Sequence, residues 1–173
     1  GAAVAQRATA LGMSVVGYDA WLPAEEIAKR GARAASLAEV YAQADFITYH
    51  IPLTAETRQM VDAQALASMK PGVRLICTAR GGIIDEAALG AALQEGKMAG
   101  AALDVVENEP LPGDHPLLKL PNILWTPHLG AVTFEASQRG EWGAAEEVVR
   151  VLEGKRPKNP VVVTDDARLL MPA

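Results

Sequence analysis

The sequence contains one cysteine, Cys77, among 173 residues. A single thiol excludes disulfide bonds within the chain and is compatible with the reducing cytosol. No apolar segment approaches the roughly 20 residues that span a bilayer, and no charged start followed by an apolar core marks a signal peptide. We therefore expect a soluble, cytoplasmic protein with no membrane partner.

Positive charge is also scarce, since the formal net charge is -5. An acidic balance of this kind disfavours non-specific binding to nucleic acid. The one basic cluster, KRPK at residues 155–158, is interpreted as a solvated helix end rather than a binding patch. Nucleic acid is therefore not an expected partner.

The sequence also lacks an initiating methionine: residue 1 is glycine, and helical spacing of small apolar residues starts at once. We expect from this that the chain is cut at its N-terminus. Residues 1–11 predict a helix stopped by Gly12, and residues 14–19 predict a short strand that ends in Asp19. The strand and glycine turn that would come first in a βαβ unit are not in the sequence.

Helices and strands alternate along the rest of the chain. Helices are predicted over residues 23–30, 37–44, 63–69, 86–95 and 134–152, and strands over residues 45–51, 73–77, 99–106 and 123–125. Between residue 108 and residue 123 we expect a loop. This alternation predicts an α/β protein with a doubly wound parallel sheet whose first strand is missing.

Polar residues fall at the predicted carboxyl ends of five strands, where open parallel sheets bind ligands. They are Asp19, His50, Thr78, Arg80, Asp104, Glu109 and His128. Each has a plain structural alternative, such as a packed histidine, a loop-capping acid or an arginine in an ion pair. Arg80 is the most informative, because a guanidinium at this edge matches a carboxylate or phosphate with two donors. Their convergence favours a binding site.

Four segments carry a resemblance to a known family: HIPLT at residues 50–54 with Thr57, TARGGIIDE at residues 78–86, ALDVV at residues 102–106 with EP at 109–110, and TPHLGA at residues 126–131. In this order and spacing the sequence resembles the D-isomer-specific 2-hydroxyacid dehydrogenases, nearest their phosphoglycerate and hydroxypyruvate reductase branch. The resemblance implies a Rossmann-like NAD-binding domain over residues 1–153, incomplete at its N-terminus. It also implies that residues 154–173 return to a largely absent substrate domain.

The resemblance further implies an oxidoreductase that transfers a hydride between NAD(H) and a D-2-hydroxy acid/2-keto acid pair, in a homodimer. By this resemblance His128 is the general acid in reduction and the base in oxidation, and Glu109 holds its imidazole. Glu107 competes for that role, but the family's acid directly precedes the proline, which selects Glu109. Arg80 would clamp the substrate carboxylate and polarise its carbonyl.

The resemblance also assigns residues to the cofactor NAD. They are Gly1, Asp19, Pro52, Thr57, Thr78, Ala79, Arg80, Asp104, His128 and Gly130. Gly1 matches the last glycine of the G-x-G-x-x-G turn, and Asp19 would accept hydrogen bonds from the ribose and disfavour NADP. Asp104 would hold the nicotinamide with the backbone around Thr78. No metal is expected.

Cys77 stands where relatives often have asparagine, and we interpret it as a buried small hydrophobe rather than a nucleophile. The substitution bears only on how the nicotinamide packs. Trp21 and Trp125 are interpreted as packing residues, with Trp21 close enough to Asp19 to flank an adenine.

Two further hypotheses stay open at the level of sequence. An NAD(H)-sensing binding protein, like the family's transcriptional corepressor branch, would keep similar residues at Arg80, Glu109 and His128. An inactive, truncated remnant would keep them without function. With most of a substrate domain absent, we expect the isolated 173 residues to bind cofactor weakly and to turn over little or no 2-keto acid.

Overall fold

The computed structural model describes residues 1–160. The chain divides into two compact units, residues 1–127 and a unit that begins at His128. Of residues 154–173, which were expected to return to a substrate domain, residues 161–173 lie outside the described residues. The domain boundary expected after residue 153 therefore stays a prediction.

The described residues form helices and parallel strands in alternation. The helices are α1 (Ala2–Ala10), α2 (Ala24–Lys29), α3 (Leu37–Gln43), α4 (Ala63–Ser68), α5 (Glu86–Gln94) and α6 (Phe134–Leu152). The strands are β1 (Val16–Gly17), β2 (Arg33–Ala34), β3 (Phe46–Tyr49), β4 (Val73–Cys77), β5 (Met98–Leu103) and β6 (Ile123–Trp125). A 3-10 helix covers Pro116–Lys119.

The strands form two parallel sheets. One contains β1 and β2, and the other has the order β3-β4-β5-β6. Together these orders match the doubly wound arrangement 3-2-1-4-5-6 with its strand 1 left out and one further strand, β6, added after the last. The expected α/β class is confirmed, and among the described residues β1 pairs only with β2 and β3 only with β4.

Two elements escaped sequence analysis. Strand β2 has two residues, neither fully buried nor β-branched, and it exists because it pairs with β1. The 3-10 helix lies inside the expected loop, with Pro116 in its first turn and His115 Nδ1 accepting from the N–H of Leu117. Strand β5 ends at Leu103 rather than at residue 106, although Val105 and Val106 are buried. The local sequence pattern does not specify which strands pair, and so it does not predict β2.

One face of the larger sheet forms the core. Val73, Leu75 and Cys77 alternate toward this face and are at most 1% exposed, as a period of two in an extended chain requires. Leu66 of α4 and Leu89 of α5 belong to the same buried cluster. This packing makes the sheet rigid, so the residues at the carboxyl ends of its strands are held in place.

Side chains cap most of the helices. Ser36 and Glu39 form a reciprocal capping box at α3, and Asp62, Asp85 and Thr133 accept backbone N–H bonds at α4, α5 and α6. Helix α1 begins at Ala2, and Gly1 at its N-cap position provides no side-chain cap. The first N–H groups of α1 therefore lack the side-chain acceptor that these four helices have.

In the second unit, the segment after α6 folds back onto that helix. The Lys158 N–H donates to Glu147 Oε2 at 2.8 Å, and Lys158 Nζ lies 3.2 Å from Glu146 Oε2. The KRPK cluster is exposed at the helix end, as expected, and two of its cations pair with glutamates. Among residues 1–160, no helix has the length and apolar character that crossing a membrane demands.

Candidate functional site

The carboxyl ends of the larger sheet lie in register. Tyr49 pairs with Cys77, Cys77 with Leu103, and Leu103 with Trp125. The residues that follow these four are His50, Thr78, Asp104 and Thr126, one on each strand. Since neighbouring strands lie about 4.8 Å apart, the sheet places these four residues in a row along one rim. Three of them were expected at the site, and the fourth, Thr126, was not.

Asp104 is the buried acid of this row. Asp104 is 7% exposed, and it is the only charged residue that is buried among residues 1–160. Its N–H donates to the carbonyl of Cys77 at 2.9 Å, and Thr126 Oγ1 donates to Asp104 Oδ1 at 2.5 Å. A buried carboxylate without donors would be costly, so Thr126 stabilises the acid and fixes its direction. The polar residue after β6 in the TPHLGA segment was the available signal for Thr126.

Arg80 extends from the loop after β4 and is exposed. Its Nη1 donates to the carbonyl of Ala79 at 2.6 Å, and among the described residues 1–127 no carboxylate forms an ion pair with it. The alternative of an arginine committed to a structural ion pair within this unit is therefore not observed. A guanidinium in this state retains donors for an external carboxylate.

Two glycines let the Arg80 loop approach the loop after β5. A Cβ on Gly81 would lie 1.9 Å from the Val106 carbonyl oxygen, so only glycine fits there. Gly82 has a φ of +80°, a left-handed conformation that glycine adopts without strain. The Cys77 thiol lies 3.8 Å from the Arg80 carbonyl oxygen, its acceptor. The loops that carry Arg80 and Glu109 are thus in direct backbone contact.

The two acids of the loop after β5 have different partners. The Glu107 carboxylate accepts from Arg58 Nη1 at 3.2 Å, in an ion pair with both side chains exposed. The Glu109 Oε1 instead accepts from the N–H of Val106 at 3.1 Å. The two acids thus have different bonding partners, and the choice of Glu109 over Glu107 as the acid beside His128 stays a prediction.

The smaller sheet places Asp19 just beyond β1. Asp19 Oδ1 accepts hydrogen bonds from the N–H groups of Trp21 at 2.9 Å and Leu22 at 3.1 Å. One carboxylate oxygen therefore stabilises the turn, as the alternative of a loop-capping acid predicted. The second oxygen has no partner among the described residues. Trp21 is 53% exposed, so its interpretation as a packing residue was wrong, whereas a place for it beside an adenine stays a prediction. The short strand β1 ends before Trp21 could reach the interior.

Thr57 and Pro52 lie in one ordered turn after β3. Thr57 Oγ1 donates to the Pro52 carbonyl at 2.7 Å and accepts from the Thr54 N–H at 2.7 Å. These bonds hold the turn together whether or not a ligand is present. Binding of a cofactor by Pro52 and Thr57 stays a prediction.

His128 and Gly130 belong to the second unit, at its start. His128 is exposed and has a φ of +55°, which is uncommon for a residue other than glycine. Backbone strain of this kind concentrates at functional positions. Gly130 is exposed two residues later.

Cys77 is buried, as expected. It is 1% exposed, and burial raises the pKa of its thiol. Burial also raises the pKa of the neighbouring Tyr49, whose hydroxyl donates to Tyr41 at 3.5 Å. Raised pKa values keep both groups neutral near neutral pH, and burial shields both from solvent.

Comparison with known proteins gives consistent matches. The sequence profile described as "D-isomer specific 2-hydroxyacid dehydrogenase, NAD binding domain" matches residues 1–130. The D-3-phosphoglycerate dehydrogenase of Methanocaldococcus jannaschii is 44% identical over 162 residues, covering 93% of this chain and 31% of that protein. The (S)-sulfolactate dehydrogenase of Chromohalobacter salexigens is 44% identical over 150 residues, covering 86% of this chain and 48% of that protein.

A solved structure matches the fold over the same region. The D-lactate dehydrogenase of Aquifex aeolicus, in complex with NAD and lactic acid, superposes with a TM-score of 0.79 at 33% identity. The match covers 87% of this chain and 50% of that chain. The chain thus spans about a third to a half of the length of these relatives.

Proposed function

Because this chain belongs to the D-isomer specific 2-hydroxyacid dehydrogenase family, to whose NAD-binding domain residues 1–130 correspond, we propose that its protein is an NAD-dependent oxidoreductase. It interconverts a 2-keto acid and a D-2-hydroxy acid. The observation that supports this most strongly is the in-register row of polar residues at the strand ends, beside an Arg80 with no ion pair among residues 1–127. Reduction of a 2-keto acid needs a bound hydride donor, a cation for the carboxylate and a proton donor for the oxygen.

The residues present fit NAD. Helix α1 follows Gly1 without a side-chain cap, so its first N–H groups suit the cofactor's pyrophosphate. Asp19 keeps one carboxylate oxygen for the ribose hydroxyls while the other shapes the turn. Asp104, with the backbone at Thr78 and Ala79, holds the nicotinamide end, and Pro52 and Thr57 line the approach. When bound, NADH supplies the hydride.

Arg80 binds the substrate. Its guanidinium clamps the carboxylate in two-point geometry and, from the same side, draws electron density from the adjacent carbonyl. The short contact between Gly81 and Val106 fixes the loop that carries it. A rigid clamp orients the keto carbon, and orientation is a large part of the rate.

His128 moves the proton. In reduction its imidazolium donates a proton to the carbonyl oxygen as the hydride arrives, and in oxidation the neutral ring accepts the hydroxyl proton. Glu109 orients the ring for this proton transfer. Glu107 is assigned no part, since its carboxylate pairs with Arg58.

The substrate class follows from the relatives. Several of the similar curated proteins are D-3-phosphoglycerate dehydrogenases, and one is an (S)-sulfolactate dehydrogenase. Both names describe three-carbon acids with a second anionic group. We therefore place 3-phosphohydroxypyruvate first among the candidates.

We also infer a cytoplasmic homodimer. The buried, unpaired Cys77 is compatible with a reducing compartment, and the homodimer follows from the family. Light scattering on the purified complete protein gives the mass: twice the protomer mass supports the dimer, and the protomer mass contradicts it.

The test uses the complete protein that contains this chain. Oxidation of NADH is followed at 340 nm with 3-phosphohydroxypyruvate, hydroxypyruvate, glyoxylate and pyruvate, and with no acid as the control. Turnover of at least one acid, with NADPH much poorer, supports the proposal. Tight NADH binding with no turnover of any 2-keto acid would contradict it and favour an NAD(H)-sensing binding protein.

A further inference from the structure

The loop that carries Glu109 depends on the backbone at Val106 and Glu107. Glu109 Oε1 accepts from the Val106 N–H at 3.1 Å, so the direction of this carboxylate follows the position of that N–H. The Val106 side chain is 3% exposed, whereas Glu107 and Glu109 are exposed. An exposed loop needs further bonds if it is to hold a carboxylate in one place.

Glu86 supplies such a bond. It is the first residue of α5, and Glu86 Oε1 accepts from the Glu107 N–H at 2.6 Å. Its other oxygen lies 3.6 Å from His115 Nε2, and the Glu86 side chain is 15% exposed. Asp85 already caps α5 through two N–H groups, so Glu86 is not needed as a cap of its own helix.

The physical setting makes this bond strong. A carboxylate acceptor gives a charge-assisted hydrogen bond to a backbone N–H, which is shorter and stronger than a neutral one. The start of α5 also stabilises negative charge at Glu86. Limited exposure at Glu86 further reduces competition from water.

The same helix start also fixes the Arg80 loop. Residues 81–85 connect Arg80 directly to α5, and the Asp85 N–H donates to the Val61 carbonyl at 3.0 Å. Gly81 touches the Val106 carbonyl from the other side. The N-terminal end of α5 is therefore connected to both loops, by the chain itself to the loop that carries Arg80 and by the Glu86 bond to the loop that carries Glu109.

We propose that Glu86 is a positioning residue, which holds Glu109 in its working orientation through the backbone at Val106 and Glu107. This inference rests on the proposed function, in which Glu109 orients His128. It assigns Glu86 no contact with substrate or cofactor. Its effect should therefore fall on the chemical step rather than on cofactor binding.

The test compares four variants of the complete protein, and Glu109→Gln as the background of the fourth, with the unmodified enzyme. Glu86→Met keeps the length of the side chain and removes the acceptor, whereas Glu86→Gln keeps a carbonyl oxygen for the Glu107 N–H. Glu95→Gln, at the other end of α5, is the matched control. The fourth is Glu86→Met combined with Glu109→Gln, compared with Glu109→Gln alone. If Glu86→Met fails to fold, Glu86→Ala replaces it.

We expect Glu86→Met to lower kcat on the order of tenfold, with the KM for NADH unchanged, because misplaced groups reduce the rate of chemistry. Glu86→Gln should restore most of kcat, and Glu95→Gln should match the unmodified enzyme. With Glu109→Gln already present, Glu86→Met should cause no further loss.

Three outcomes would count against these expectations. An unchanged kcat in Glu86→Met overturns the inference and leaves the proposed function intact. So does an equal loss with and without Glu109→Gln, since Glu86 would then act elsewhere. Absence of turnover in the unmodified complete protein overturns the proposed function itself, and this inference with it.

Discussion

The Val106 carbonyl oxygen occupies the space that a side chain on Gly81 would need, 1.9 Å from an ideal Cβ. This contact joins two loops that leave neighbouring strands, β4 and β5, at the same rim of the sheet. One loop carries Arg80, and the other carries Glu109. Their spacing is therefore set by backbone atoms, which move less than side chains do.

Gly81→Ala should destabilise the protein by about 1–3 kcal/mol, because the added methyl group must push the two loops apart. Urea denaturation measures the free energy of unfolding. Gly113→Ala is the matched control, since a Cβ added at Gly113 would have no atom within 4 Å. Equal stability of the two variants would contradict the close contact at Gly81.

Thr126→Val should cost about 1–3 kcal/mol of stability, because it removes a hydroxyl donor from the buried Asp104 carboxylate while keeping the side chain's shape. Thr126→Ser keeps the hydroxyl and should retain most of the stability. We also expect Thr126→Val to weaken NADH binding, which fluorescence titration measures. If the Thr126→Val and Thr126→Ser variants were equally stable and bound NADH equally well, the hydrogen bond from residue 126 to Asp104 would contribute to neither stability nor binding.

Cys77 should resist alkylation in the native protein. Burial raises the pKa of its thiol, so the reactive thiolate is scarcer at any given pH below that pKa than for an exposed cysteine. With iodoacetamide at pH 8, we expect labelling to be roughly tenfold or more slower in the native than in the unfolded protein. Peptide mass spectrometry identifies the labelled residue. Rapid labelling of Cys77 in the native protein would contradict this prediction and show that the carboxyl end of β4 opens to solvent.

Asp19→Asn should reduce the preference for NADH over NADPH, on the order of tenfold, because it removes the negative charge that repels a 2′-phosphate. The asparagine keeps Oδ1 as acceptor for the N–H groups of Trp21 and Leu22, so the turn should survive. Asp19→Ala removes both the negative charge and the Oδ1 acceptor, so its melting temperature should fall as well. An unchanged cofactor ratio in Asp19→Asn would remove Asp19 from the ribose site.

Much of the fold was predictable because it depends on local patterns. Strands β4 and β6 and helix α6 have the predicted bounds, since apolar runs, turn residues and the cap at Thr133 mark their ends. Strand β2 was not predictable, because its two residues gain their strand character only by pairing with β1. Pairing partners are a property of the fold rather than of a short window of sequence.

The candidate site was predictable as a set of positions but not as a network. The rule that ligands bind at the carboxyl ends of parallel strands placed Asp104 and Thr78 correctly at the rim. It could not reveal that Thr126 donates to Asp104, or that Glu86 reaches the Glu107 N–H. Both bonds join residues that are 21 or 22 positions apart, at distances set by tertiary packing.

We propose that His128 transfers the proton in a reaction whose substrate Arg80 holds. The most direct measurement is turnover of NADH with the preferred 2-keto acid by the complete protein and its His128→Gln variant, alongside NADH binding by fluorescence. We expect turnover to fall by roughly 100-fold or more, as loss of a general acid should cause, while the Kd for NADH changes little. Turnover in His128→Gln within a few-fold of the unmodified protein would contradict it.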